Sequence, residues 1–282
     1  MAQAGDGKKD MQDMQSAYDD RELPIDLVGV SGLRYPVTVR DKARRRQKTV
    51  AELSLSVSLP HHYKGTHMSR FVEVVHEHRD QIDMETLPAI VTALRSRLEA
   101  ERARVEMRFP YFIERSAPVS GAIALMSYDC RYVAEENSRG NDFLVAVRTP
   151  VTTLCPCSKA ISDYGAHNQR GYVDIAIRAA RQAGGLPKMV WIEELVDIGE
   201  RAGSAPVFPL LKREDEREVT MRAYDKPAFV EDVVRQAAAE LKADPRIAWL
   251  EVKAETIESI HDHNAFAMIR WPEAGAGGTT VL

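Results

Sequence analysis

Residues 49–59 read TVAELSLSVSL. Successive side chains of an extended chain point to opposite faces, so Leu53, Leu55, Val57 and Leu59 fall on one side and Glu52, Ser54, Ser56 and Ser58 on the other. This unbroken period of two predicts a half-buried strand, one face on a core. Working outward, a shorter extended run at 35–40 precedes it. Two helical stretches follow. One opens near Ser69 and carries Phe71, Val72, Val74 and Val75; the other covers about 84–103, with Leu87, Ile90, Val91, Leu94 and Leu98 at helical spacing. Strand-like runs at 105–113 and 119–133 close this half.

The order then repeats. Residues 143–151 and 172–177 read as strands, 190–198 and 227–241 as helices, and 247–257 and 265–271 as closing strands. Pro227 stands near the first turn of the last helix, where its missing N–H costs nothing. Between the halves, the polar run 135–142 (EENSRGND) predicts a linker. The fold class expected is α+β: one module over 21–136 and a second over 141–273, each strand, strand, helix, helix, strand, strand, as two antiparallel sheets with helices on one face. Unpaired sheet edges are a liability that pairing with further copies into closed barrels removes, so a homo-oligomer is expected. Residues 1–20 read as a disordered leader, and 274–282, which open AGAGG, as a flexible tail.

Of the 282 residues, 44% are hydrophobic and 28% charged, ordinary globular composition with enough apolar material for one large core or two modest ones. No apolar run reaches the roughly 18 residues of a membrane helix, and the N-terminus lacks the apolar stretch of a secretory signal. The three cysteines, Cys130, Cys155 and Cys157, are odd in number, and Pro156 alone separates the last two, so no disulfide framework is expected. The reading is a cytoplasmic protein with free thiols. A net charge of −4 supplies no global attraction to nucleic acid or membrane. An anionic ligand would need local cations. The run Lys42, Arg44, Arg45, Arg46 and Lys48 offers them, or is a solvated basic loop.

Four stretches carry chemistry. Residues 149–170 (TPVTTLCPCSKAISDYGAHNQR) follow a strand and lack strong periodicity, as functional loops often do. Thiolate and imidazole both bind zinc and similar divalent ions, so Cys155 and His167 are candidate ligands; a structural cysteine and a surface histidine are the alternative. Pro156 makes joint chelation by both cysteines awkward, which predicts one ligand and one supporting residue. In 256–266 (TIESIHDHNAF), His261 and His263 would emerge on one face of an extended chain beside Glu258 and Asp262, a pair suited to proton transfer near neutral pH. In 210–216 (LLKREDE), Glu216 is a candidate carboxylate ligand or one member of a solvated charge run. Glu231, in FVED, opens the last helix, where a carboxylate suits the helix dipole. Finally, 65–71 (GTHMSRF) places His67, Ser69 and Arg70 at a helix start, either an anion site or a plain cap made by Thr66 or Ser69.

Taken together, these stretches resemble one family, GTP cyclohydrolase type IB. The resemblance runs from about Asp20 onward and is carried by DRELPIDLVGVSGLRYPV at 20–37, GTHMSRF at 65–71, TPVTTLCPCSKAISDYGAHNQRG at 149–171, LLKREDE at 210–216, AYDKPAFVEDVVR at 223–235 and ESIHDHNAFA at 258–267. It implies a tunnelling fold of tandem modules assembled into barrels in a homotetramer; because the net charge is negative, cations for a triphosphate must cluster locally, and active sites at subunit interfaces are expected. It also implies hydrolysis of GTP to 7,8-dihydroneopterin triphosphate and formate, the first step of tetrahydrofolate synthesis, by metal-activated water attack at guanine C8. Carried over residue by residue, Cys155, His167 and Glu216 resemble the ligands of a divalent zinc, manganese or ferrous ion, and Glu258 approaches it in some states. Glu231 resembles the guanine anchor, and His261 and His263 the proton-transfer pair. Arg44, Lys48, His67, Ser69, Arg70 and Lys159 are the candidate triphosphate contacts. The stretch 181–190 (RQAGGLPKMV) is longer than the family pattern and lengthens a loop between the Cys/His segment and Glu216.

Two rival readings differ in chemistry. A related tunnelling-fold enzyme would use Cys155 as a covalent nucleophile on a deazapurine, with no metal. A non-catalytic metal-binding protein would close its site with four protein ligands, Cys157 among them.

Overall fold

The structure, a computed structural model, describes residues 14–78, 82–138, 140–181 and 187–272. Most of the expected leader, the tail and the middle of the lengthened loop lie outside the described residues. The alternating stretch is a strand, β2 (Arg45–Leu59), with Ala51, Leu53, Leu55, Val57 and Leu59 buried. Its partner β1 (Ile25–Asp41) is far longer than the run read at 35–40. The first part of β1 hides its periodicity: register shifts fall between Ile25 and Val28 and between Val30 and Leu33, and most of its residues are exposed or half-exposed. Gly29 lies so close to β2 that a Cβ there would sit 1.9 Å from the Leu55 carbonyl oxygen, so the strand pairing requires glycine.

The remaining elements are α1 (Met68–Glu77), α2 (Leu87–Arg97), β3 (Ala103–Ser116), β4 (Ile123–Asn137), β5 (Gly140–Leu154), α3 (Pro156–Ile161), β6 (Asn168–Ala179), α4 (Ile192–Ala202), β7 (Ala205–Pro206), α5 (Arg213–Asp225), α6 (Val230–Ala243), β8 (Ile247–Thr256) and β9 (Ala265–Trp271). The expected element order holds, with α3, β7 and α5 added in the second half. The strands form one antiparallel sheet in the order β1-β2-β3-β4-β5-β6-β8-β9, with β7 beside β5. The two sheets expected are therefore continuous. The stretch read as a linker is the β4–β5 hairpin, with Glu135 opposite Asp142, Glu136 opposite Asn141 and Asn137 opposite Gly140. Polar turn residues serve a hairpin as well as a linker, and cross-strand pairing decides between them.

The helices cover one face of the sheet. Phe71, Val74 and Val75 of α1, Leu87, Ile90, Val91 and Leu94 of α2, Leu195 and Val196 of α4, and Val233, Val234, Ala237 and Leu241 of α6 join the inward strand residues in a single core. Helix α2 stops at Arg97, short of the expected 103, because Ala103 already starts β3. The opposite face is largely charged, with a small apolar patch of Val133, Leu144, Ala146 and Ala176. It holds an open depression of about 630 Å³ whose lining includes Arg34, Arg108, Arg131, Arg148 and Lys253. Among the described residues, no helix is long and apolar enough to cross a membrane.

Antiparallel order sorts the connections between the two ends of the sheet. The end of β5, the start of β6, the end of β8 and the start of β9 share one end, with the β1–β2 and β3–β4 turns. The β4–β5 hairpin and the end of β2, from which the chain leaves for α1, lie at the other.

Candidate active site

Pro156 fixes the chain after β5 and opens α3, with Cys155 as its N-cap residue. The Ser158 N–H donates to Cys155 Sγ at 3.4 Å. The Cys155 N–H donates to the His167 carbonyl at 3.1 Å. The returning loop passes through Gly165, whose φ of +135° suits glycine, and the His167 N–H meets Ser158 Oγ at 3.3 Å. Leu154 then pairs with Asn168. Cys155 and His167, distant in sequence, are thus neighbours across the ends of β5 and β6. Both are half-buried, and Cys157 is exposed. Cys130 is buried in the core, where desolvation raises its thiol well above the ordinary range and leaves it inert as a nucleophile.

Two further elements reach this end, the β8–β9 connection and α6. Beyond β8, Glu258 accepts from Thr256 Oγ1 at 2.9 Å and from Gln169 Nε2 at 3.4 Å. Gln169 Oε1 lies 2.9 Å from His167 Nδ1, and Ser259 Oγ lies 3.3 Å from the same nitrogen. In the β8–β9 loop, His261 and His263 are exposed and stack with ring centroids 5.3 Å apart, on one side as expected, although the chain there bends and is not extended. Helix α6 begins beside the cysteine strand: the Ala228 N–H donates to the Leu154 carbonyl at 3.1 Å, and Asp232 caps the helix start by accepting from the Phe229 N–H at 3.1 Å. Glu231 stands exposed in that first turn. One end of the sheet therefore presents a thiol, an imidazole, two carboxylates and a histidine pair.

Comparison with known proteins adds sequence to this geometry. A family model described as type I GTP cyclohydrolase folE2 matches residues 11–267. The chain belongs to this family. Proteins named GTP cyclohydrolase FolE2 from Syntrophotalea carbinolica and Geobacter sulfurreducens are 48% and 49% identical to it, over 93% and 92% of this chain and 96% and 97% of theirs. The FolE2 protein of Methylococcus capsulatus is 49% identical over 92% of this chain and 94% of its own. Among solved structures, urate oxidase from Bacillus sp. TB-90 is similar with a TM-score of 0.50 at 10% identity, over 87% of this chain and 99% of that one. Uricase from Arthrobacter globiformis gives 0.50 at 9%, over 90% and 96%. Those identities speak to fold alone, and the fold is the tunnelling type, with an antiparallel sheet and helices on one face.

Not every residue singled out in the sequence lies at this end of the sheet. Among the described residues, no group of three or more His, Cys, Asp or Glu side chains stands ready to hold a metal ion. Of the expected trio, Cys155 and His167 are brought together, and Glu216 lies on a separate element. Glu216 is exposed in the first turn of α5. Its neighbour Asp215, which sequence reading passed over, is fully buried and accepts from the N–H groups of Val119, Ser120 and Lys212 and from Ser120 Oγ. Those bonds tie the start of α5 to the β3–β4 turn, and its other end meets α3, where Lys159 Nζ donates to the Tyr224 carbonyl at 2.5 Å and lies over the Tyr224 ring. Rise along a helix then puts Glu216 roughly 12 Å from that contact.

The candidate triphosphate contacts are dispersed. His67, Ser69 and Arg70 lie at the opposite end of the sheet. The N-cap there is His67, not Thr66 or Ser69, and no side chain caps the helix. Arg70 donates to the carbonyl of Arg97. Arg44 pairs with Glu114, and Lys48 lies on β2, three strands from β5 and so about 14 Å to the side. Gln169, which hydrogen-bonds to both His167 and Glu258, is a residue of this end that sequence reading missed. It sits inside the GAHNQR string, but an amide in a strand carries no signal of its own.

Proposed function

We propose that this chain is a GTP cyclohydrolase, converting GTP and water to 7,8-dihydroneopterin triphosphate and formate at the start of tetrahydrofolate synthesis. The observation that carries this reading is the hydrogen bond between the Cys155 N–H and the His167 carbonyl, which sets a thiol and an imidazole side by side next to the start of α6. The donor set suits a divalent ion: the partners of His167 Nδ1 leave Nε2 free to ligate, and a single thiolate with imidazole and carboxylate admits zinc, manganese or ferrous iron. Such an ion, when bound, makes water acidic enough to supply hydroxide near neutral pH for attack at guanine C8.

The other roles belong to the chain itself. Glu231 accepts from the guanine N1–H and 2-amino group together, a charge-assisted contact that adenine cannot satisfy. His261 and His263 carry protons to and from the opening imidazole ring and the ribose. Cys155 and His167 are the ligands this chain sets side by side, and Glu216 or Glu258 is the carboxylate that would complete the set. We read 21–136 and 141–273 as two modules fused through the β4–β5 hairpin. On that reading, Arg44, Lys48, His67, Ser69 and Arg70 reach the triphosphate across interfaces between copies, and Lys159 from beside Cys155.

The test is direct. Chelator-stripped protein is incubated with GTP and one divalent metal at a time, then oxidised and read for pterin fluorescence. Fluorescence that needs the metal and vanishes in Cys155→Ala is the expected result. Silence with every metal removes the reading, and activity indifferent to chelation shifts it to a covalent Cys155 enzyme.

A further inference from the structure

We infer that Gln169 is the positioning residue that fixes the tautomer and ring orientation of His167. The inference rests on the reading of His167 as a ligand in the proposed cyclohydrolase. Register explains how the residues meet. Gln169 lies on β6 opposite Thr153 of β5, and on its other side the end of β8 pairs with β6, Thr256 opposite Gly171. The Ile257 N–H donates to the Arg170 carbonyl at 2.9 Å and turns Glu258 back towards Gln169.

The order of donors along this network leaves little freedom. An ionised carboxylate only accepts. Glu258 Oε1 takes the hydroxyl of the buried Thr256 at 2.9 Å and the amide of Gln169 at 3.4 Å. With its NH₂ committed to Glu258, the Gln169 side chain turns its carbonyl oxygen to His167 Nδ1, 2.9 Å away. That oxygen can only accept, so Nδ1 carries the hydrogen and Nε2 keeps its lone pair. Ser259 Oγ, at 3.3 Å from the same nitrogen, can share the Nδ1 hydrogen as a second acceptor. Histidine ligands as a class are set in this way by a partner on the non-ligating nitrogen, and its loss typically weakens metal binding by about 10–100-fold. Here the partner is an amide whose own orientation is fixed by a carboxylate one strand away.

The experiment compares wild type, Gln169→Leu, which removes the acceptor, and Gln169→Glu, which retains one, as full-length chains whose folding is confirmed by circular dichroism. Two readouts are taken. Nitrogen NMR of the imidazole ring in metal-free protein, above the titration range of histidine and with His167 assigned by His167→Asn, reports the tautomer. Competition between cobalt(II) and a chelator reports affinity, with the thiolate-to-cobalt absorption band marking Cys155. The expected result is an Nδ1–H ring in wild type and Gln169→Glu, loss of that tautomer in Gln169→Leu, and cobalt affinity weaker by about 10–100-fold in Gln169→Leu alone. An Nε2–H ring in wild type, or a Gln169→Leu protein with unchanged tautomer and affinity, overturns the inference. If wild type gives no thiolate–cobalt band, the ligand reading of the site fails, and the ring spectra still decide whether Gln169 sets the tautomer.

Discussion

Asp215 and Glu216 are adjacent in sequence and opposite in setting. The Glu216 side chain meets solvent, while Asp215 is fully buried and gathers backbone donors from the β3–β4 turn and from the start of its own helix. Those donors, with the Ser120 hydroxyl, outweigh desolvation and hold the Asp215 carboxyl well below the ordinary carboxylate range. A group whose folded pKa is depressed contributes stability that is complete above its unfolded pKa and lost as pH falls through the folded one. Asp215→Asn turns an amide NH₂ towards donors that need an acceptor, so it should lower the melting temperature at neutral pH, while Glu216→Gln should leave it unchanged. The gap between Asp215→Asn and wild type should then narrow on acidification from neutral pH to about pH 3, below the usual carboxylate pKa. A gap of constant size in denaturation curves across that range would show that the carboxylate charge is not what holds the turn.

At the scale of elements, what the sequence disclosed depended on how one-sided each element's burial is. Strand β2 was legible because every second residue from Ala51 to Leu59 is buried, and β9 was read with both its ends, 265 and 271, in place. Helix α5 was not legible: only Asp215 and Ala223 are buried along its 13 residues, so it has no apolar stripe, and its acidic start looks like a solvated charge run. The first part of β1 escaped notice because bulges and glycine break its alternation. The candidate residues followed the same rule. Cys155 and His167 stood out by residue type, whereas Gln169 at the candidate site and Asp215 at the β3–β4 turn are defined by partners on other elements. Helix α6 makes the dependence testable, since it joins core to site: Leu241 is fully buried near its end, and its start hydrogen-bonds to Leu154. Leu241→Ala should cost about 2–5 kcal/mol in chemical denaturation, the range for a large core side chain cut to Ala. A loss below about 1 kcal/mol would mean that α6 is held from its other contacts and that the core reading of this helix is wrong.

For the whole molecule, the distribution of candidate site residues argues for assembly. Glu231 and the Cys155–His167 pair share one end of the sheet, His67 and Arg70 lie at the other, and one guanine triphosphate cannot touch both within a single chain. The edges of the sheet point the same way: among the described residues β1 pairs only with β2, and β9 only with β8. Phe266 and Met268 on β9 are 69% and 42% exposed, and Ile25 and Leu27 on β1 are 44% and 46% exposed. Apolar side chains on a free edge invite another strand, and pairing with a further copy satisfies both the backbone and the side chains. Phe266→Lys combined with Met268→Lys places two ammonium groups where that pairing would bury them. Sedimentation should then show a shift to smaller species, with association weakened on the order of tenfold or more, the effect of losing about 1.4 kcal/mol of contact. GTP turnover should fall in parallel and recover as protein concentration rises, because the missing residues return with the neighbouring copy. A wild-type chain that sediments as a monomer and keeps its full specific activity on dilution would require Arg44, Lys48, His67 and Arg70 to have no part in binding the triphosphate.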